Sequence, residues 1–341
     1  MGIEKVKEIV KTLPEYASKI DLASEKLGGK VLFATDDFFA EKENLIKPGR
    51  GIFVVDKYTD RGKWMDGWES RRKRTAGNDW CIVQLAAEGR IYGFDIDTNF
   101  FLGNHPPHAS VEAATIADVT NINNWETDVP WKEILAKSHL DPGSQNFYSC
   151  EDKTSYTHLR LNIFPDGGVA RLRVYGEITK DWNRVNKDEV IDLCAALNGG
   201  KAIACNDMFF SAMDNLLMPD RGANMGDGWE TKRNRTPNNR DWVIIRLGHP
   251  GIIEKILVDT CHFKGNYPDR CTVEGCMASD DNDVITDIVQ WHTILPEHKL
   301  SADNEHLFPV QTLLPCSHIR LNIFPDGGVS RLRAFGKKYT K

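Results

Sequence analysis

Two spacings of apolar residues run along this chain. Near the N-terminus Ile3, Val6, Ile9, Val10 and Leu13 recur at close to 3.6 residues, which predicts a short amphipathic helix over residues 3–19, broken at Pro14. From Ile20 onward the signals are those of strands. Short apolar runs such as Trp80-Cys81-Ile82-Val83-Gln84-Leu85 and Val243-Ile244-Ile245-Arg246-Leu247 are bounded by Gly, Pro, Asn and Asp. Leu159, Leu161 and Ile163 alternate with His158, Arg160 and Asn162, which predicts a strand with one apolar and one polar face. Pro165-Asp166-Gly167-Gly168 has turn chemistry. After it Val169, Arg171 and Arg173 alternate with Leu172 and Val174, so the whole stretch reads as a hairpin.

That stretch occurs twice. Arg160-Leu161-Asn162-Ile163-Phe164-Pro165-Asp166-Gly167-Gly168-Val169 returns as Arg320-Leu321-Asn322-Ile323-Phe324-Pro325-Asp326-Gly327-Gly328-Val329. Other matches fall in the same order. Asp66-Gly67-Trp68-Glu69 with Arg72 and Arg74 pairs with Asp227-Gly228-Trp229-Glu230 with Arg233 and Arg235. Phe101-Leu102-Gly103-Asn104-His105-Pro106 pairs with Phe263-Lys264-Gly265-Asn266-Tyr267-Pro268. The chain therefore reads as an N-terminal helical segment (1–19), a first repeat (20–176), a charged linker (177–190) and a second repeat (191–341). Many short strands with turns of this chemistry argue for an all-β fold, two tandem jelly-roll β-sandwich domains.

Three groups of residues could carry chemistry. The first is Glu69 with Arg72 and Arg74, repeated as Glu230 with Arg233 and Arg235. Guanidinium groups hold a carboxylate in a bidentate fork, and a partly buried glutamate can move protons. A packed tryptophan with an ion pair beside it is the plainer reading. The second is the Gly-Asn-x-Pro loop, where the repeats differ: His105 and His262 could titrate near neutral pH, or could be surface residues. The third is the polar row His158, Arg160, Asn162 and its copy His318, Arg320, Asn322, read as an exposed or inter-domain face, with ligand binding as the alternative. Asp280-Asp281-Asn282-Asp283 lacks the Gly and terminal Glu of a calcium loop and reads as a solvated loop.

Charge and cysteine content narrow the function. The chain has 341 residues, a net charge of −6 and eight cysteines. That balance offers nucleic acid or an anionic membrane no attraction. No apolar run approaches the roughly 20 residues that span a bilayer. The cysteines form no Cys-x-x-Cys pair and do not match between the repeats, so they read as reduced, buried thiols in a cytoplasmic protein.

Taken together, the Asp-Gly-Trp-Glu-x-x-Arg-x-Arg segments, the Phe-x-Gly-Asn-x-Pro loops and the Pro-Asp-Gly-Gly turns, each present twice in order, resemble the allantoicase family from about residue 20 to Gly336. The resemblance implies galactose-binding-like jelly rolls and a hydrolase that converts allantoate to ureidoglycolate and urea in purine degradation. Set against that chemistry, Arg72 or Arg74, or Arg233 or Arg235, would hold the substrate carboxylate. Glu69 or Glu230 would handle protons with His105 or His262. Asn104 and Asn266 would contact the ureido groups. A divalent metal is possible, though no ligand cluster is visible in the sequence, and so is a homo-oligomer. The rival reading is a non-catalytic tandem module that binds sugars or other ligands.

Overall fold

Each repeat is built around one strand of 19 residues, Asp79–Asp97 in the first and Asp241–Asp259 in the second. The computed structural model describes residues 3–4 and 12–340. These divide into two compact units, Met1–Thr179 and Lys180–Lys341. Both are all-β sandwiches of one design. No helix among the described residues is long and apolar enough to cross a membrane.

The sequence predicts only short strands at 80–85 and 243–247. The strand in fact runs on through Ala86-Ala87-Glu88-Gly89-Arg90, where no alternation marks it. Pairing explains the extension. The N-terminal half of Asp79–Asp97 pairs chiefly with Lys30–Ala34 and Ser155–Phe164, and the latter pairs onward with His108–Ala114. The C-terminal half pairs with Arg171–Ile178 and Gln145–Ser149. One strand thus serves both layers. Asp241–Asp259 does the same with Lys201–Cys205 and Cys316–Phe324, then with Arg331–Lys338 and Glu305–Pro309. In the first repeat Cys81, Val83, Val111, Leu159 and Leu161 from one layer meet Phe94, Ile96, Leu172 and Val174 from the other, all fully buried. Each such side chain contributes about 1.5–3 kcal/mol through removal from water.

Four further expectations change. Of the segment 3–19 expected as a helix, Ile3–Glu4 pairs as a strand with Phe53–Val54 and Glu15–Ser18 forms a 3-10 turn; residues 5–11 lie outside those described. The expected hairpin is a corner. Ser155–Phe164 and Arg171–Ile178 pair with different halves of the long strand, and Gly168–Val169 between them pairs with Trp68–Glu69. Arg171 is accordingly buried, with its guanidinium 2.7 Å from Asp66.

The polar row is also not an exposed face. His158, Asn162, His318, Arg320 and Asn322 are all buried. Trp131 lies against Arg160, and Asp281, Asp287 and Trp291 reach His318 and Arg320. Arg160 donates to Glu112 at 2.6 Å and stacks between Trp80 and Trp131, and Arg320 pairs with Glu274 and Asp287 and stacks on Trp291. Burial pulls His158 down to about 4, so a neutral imidazole sits there. Finally, the acidic run is not a loop: Asp280 caps a short helix, Asp281–Ile285, by accepting from the Asn282 N–H. The eight cysteines are free thiols, all but the half-buried Cys205 lying in the interior.

One buried group costs stability at neutral pH. Asp95 lies on the long strand, 2% exposed. Burial, and then the charge of Asp97, push its carboxyl up to about 7. Oδ2 accepts from Gln145 at 2.6 Å, while Oδ1 has no partner. A carboxyl raised in the folded state lends its full stability below its ordinary range and loses it as pH climbs through 7. Asp95→Asn is therefore expected to raise Tm at pH 8 by about 5 °C and to change it little at pH 4. Thermal melts at the two pH values check this.

Candidate active site

Three loops meet at one end of the first sandwich, and the Pro165-Asp166-Gly167 corner ties them together. Gly167 carbonyl accepts from the Ser70 N–H at 3.1 Å, and the Gly167 N–H donates to Ser70 Oγ at 3.2 Å. Pro165 carbonyl accepts from the Asp79 N–H at 3.0 Å, and Asp166 Oδ2 accepts from the Lys73 N–H at 2.7 Å. The Gly168 N–H donates to the Asn104 carbonyl at 2.8 Å. Gly167 has φ +135°, and a Cβ there would lie 2.6 Å from the Asn104 oxygen, so only glycine fits.

Trp68 is fully buried, and its indole N–H donates to the Asp36 carbonyl at 2.8 Å. The plain reading of this tryptophan holds: it is a structural anchor. Strand alternation then turns the next residue, Glu69, towards the loops. Phe101 anchors the other loop in the same way, fully buried beneath Gly67 and Gly168.

Between the loops lies an open cavity of about 810 Å³. Glu69, Arg72, Arg74, Asn104 and His105 all line it. Glu69 Oε1 accepts from Asn104 Nδ2 at 2.7 Å. Burial raises the Glu69 carboxyl above the usual carboxylate range, and the Asn104 hydrogen bond pulls it partly back. Two nearby cations are already neutralised: Arg71 lies 2.6 Å from Asp36 and Lys73 lies 2.8 Å from Asp79. Arg72 and Arg74 are exposed and have no partner among the described residues. The cavity therefore offers two uncommitted guanidinium groups beside one half-buried carboxyl. His105 is half-buried, with Nδ1 unpartnered.

The second repeat holds a matching cavity of about 700 Å³, lined by Glu230, Arg233, Arg235 and Asn266. Asn266 Nδ2 donates to Glu230 Oε1. Tyr267 stands where His105 stands in the first. His262 is not in this lining. It matches Phe100 of the first repeat, both holding left-handed backbone at φ +70° and +66°, and its Nε2 contacts the Gly222 carbonyl at 2.7 Å. Aligning the two copies already signals this, since Phe101 and Phe263 set the register.

The sequence reading missed the corner residues Asp166 and Asp326, and also Lys73, all of which line or brace the cavities. The Pro-Asp-Gly turn reads from sequence as purely structural. The signal was its repetition beside the Gly-Asn-x-Pro loops. Among the described residues one group of donors could hold a metal ion: Cys261, His262 and Asp303, with ligand atoms within 4.8 Å of one another and outside the lining of either cavity.

Known proteins match along nearly the whole chain. A family model described as the allantoicase repeat matches residues 20–179 and again 191–339. A probable allantoicase of Pseudomonas fluorescens (strain SBW25) is 50% identical over 322 residues, 93% of this chain and 96% of that protein. One from Photobacterium profundum is 50% identical over 327 residues, 95% of this chain and 98% of its own. The crystal structure of allantoicase from Saccharomyces cerevisiae superposes with a TM-score of 0.78 at 39% identity, covering 93% of this chain and 92% of that one. Two copies of one repeat, in the order and at the loops described above, place this chain in the allantoicase family.

Proposed function

We propose that the cavity of the first repeat is where this allantoicase-family hydrolase converts allantoate to ureidoglycolate and urea. The observation that carries the assignment is the gathering of Glu69, Arg72, Arg74, Asn104 and His105, from separate segments, around one cavity. Allantoate is a carboxylate whose central carbon bears two ureido groups. Hydrolysis breaks one bond from that carbon to nitrogen; the nitrogen takes a proton and leaves as urea, and the carbon takes the oxygen of water.

Each residue fits a part of that change. The free guanidinium groups of Arg72 and Arg74 bind the carboxylate. Asn104 Nδ2 is committed to Glu69, which leaves its Oδ1 to accept from a ureido N–H. Glu69, raised by burial, gives a proton to the departing nitrogen, and His105 takes one from the attacking water; exchange with solvent restores both groups after release. The second cavity repeats the binding groups but has Tyr267 in place of His105, so the first carries most of the turnover.

Arg72→Ala and Arg74→Ala test the anion site. Loss of a ground-state carboxylate contact is expected to raise KM for allantoate about 10-fold or more while kcat falls less. Steady-state urea release measures both constants. An unchanged KM in both variants removes the arginines from the site. A protein that merely binds ligands would release no urea at all.

A further inference from the structure

We infer that the small cavity beside Asp241 is a binding site for a monovalent cation, which gives the second repeat the charge that Lys73 gives the first. The two copies of this neighbourhood differ in charge at the position of Lys73, which is Asn234 in the second.

In the first repeat two carboxylates face two cations. Asp36 pairs with Arg71 at 2.6 Å, and Asp79 pairs with Lys73 at 2.8 Å while also accepting from Thr35 Oγ1 at 2.9 Å. In the second repeat the carboxylates remain but one cation is missing. Asp207 pairs with Lys232 at 3.5 Å. Asp241 receives only amide N–H groups on Oδ1, from Asn206 at 2.8 Å and Asn239 at 3.2 Å. Its Oδ2 has no partner, although the residue is 2% exposed.

Asn234 takes the place of Lys73, and its shorter side chain turns aside to Asn239 at 2.8 Å. The space left is a cavity of about 160 Å³, bounded by Asn206, Asp207, Lys232, Asn234 and Asp241. Arg240, next in the chain, does not fill it: it is exposed, and its charge bears on Glu274. A buried carboxylate with a bare oxygen is costly unless a cation meets it. The cavity is several times the room one water needs, so it accepts a cation with some of its hydration. One uncompensated charge among amides, in the place of a primary ammonium, suits potassium, sodium or ammonium. Divalent ions ask for more carboxylate oxygens than Asp241 supplies.

The test is thermal unfolding of the full chain in potassium, sodium, ammonium or choline chloride at matched ionic strength. Choline is too large to enter. At least one small cation is expected to raise Tm by about 3 °C or more over choline, and to do so saturably. Asn234→Lys should place an ammonium in the cavity and remove that dependence. Asp241→Asn, which keeps the shape and drops the charge, should remove it too, and covers the case in which the lysine does not fit. Crystals soaked in rubidium should show the ion against Asp241. Equal Tm in all four salts, or a cation effect that persists in Asp241→Asn, overturns the proposal and leaves the cavity to water.

Discussion

Replacing Glu69 by glutamine is expected to lower kcat for urea release from allantoate by about 10²–10⁴-fold, down to whatever floor the second cavity supports. KM should move little. The side-chain oxygen of the glutamine still accepts from Asn104 Nδ2, so the cavity keeps its shape and only the titrating group is lost. Glu230→Gln is expected to retain most of the activity, because its cavity presents Tyr267 rather than His105. Parallel initial rates with the two single variants and the double variant separate the contributions. Loss in Glu230→Gln alone would move the reaction to the second repeat, and full activity in both single variants would remove the carboxylate from the mechanism.

The largest expected effect on stability comes from Gly168→Ala. A Cβ at this position would lie 2.0 Å from two atoms of the Phe101 ring. Phe101 is fully buried and has little room to yield, because the same ring already lies 2.7 Å from where a Cβ on Gly67 would sit. The added methyl must displace either the ring or the corner that carries Asp166 and holds the Asn104 carbonyl. Overpacking of this kind costs about 3 kcal/mol, which lowers Tm by about 6–12 °C. Gly103→Ala is the control, since its methyl meets nothing within 4 Å. A drop in Tm of the same size in both would show that the Phe101 contact is not the cause.

Internal repetition makes much of this molecule legible from residues alone. The recurring Asp-Gly-Trp-Glu and Gly-Asn-x-Pro strings set the register of the two sandwiches and single out Glu69 and Asn104, which turn out to be hydrogen-bonded. Other features are hidden for physical reasons. The middle of the long strand, Ala86 to Arg90, lacks alternation because its neighbours change from one layer to the other there. The polar row at His158, Arg160 and Asn162 looks exposed because alternation reports which residues share a face, not what lies over it. His262 looks like a partner of His105 by residue type, whereas backbone register places it opposite Phe100.

The strand shared by both layers also governs how each sandwich comes apart. In a sandwich of two separate sheets one sheet can peel away and leave the other hydrogen-bonded. Here the strand that one layer would lose is the strand on which the other is zipped, Asp79–Asp97 in one repeat and Asp241–Asp259 in the other. Local opening is thereby confined to loops and outer strands. Slow amide exchange at the centre of a repeat reports the release of that whole repeat in a single step.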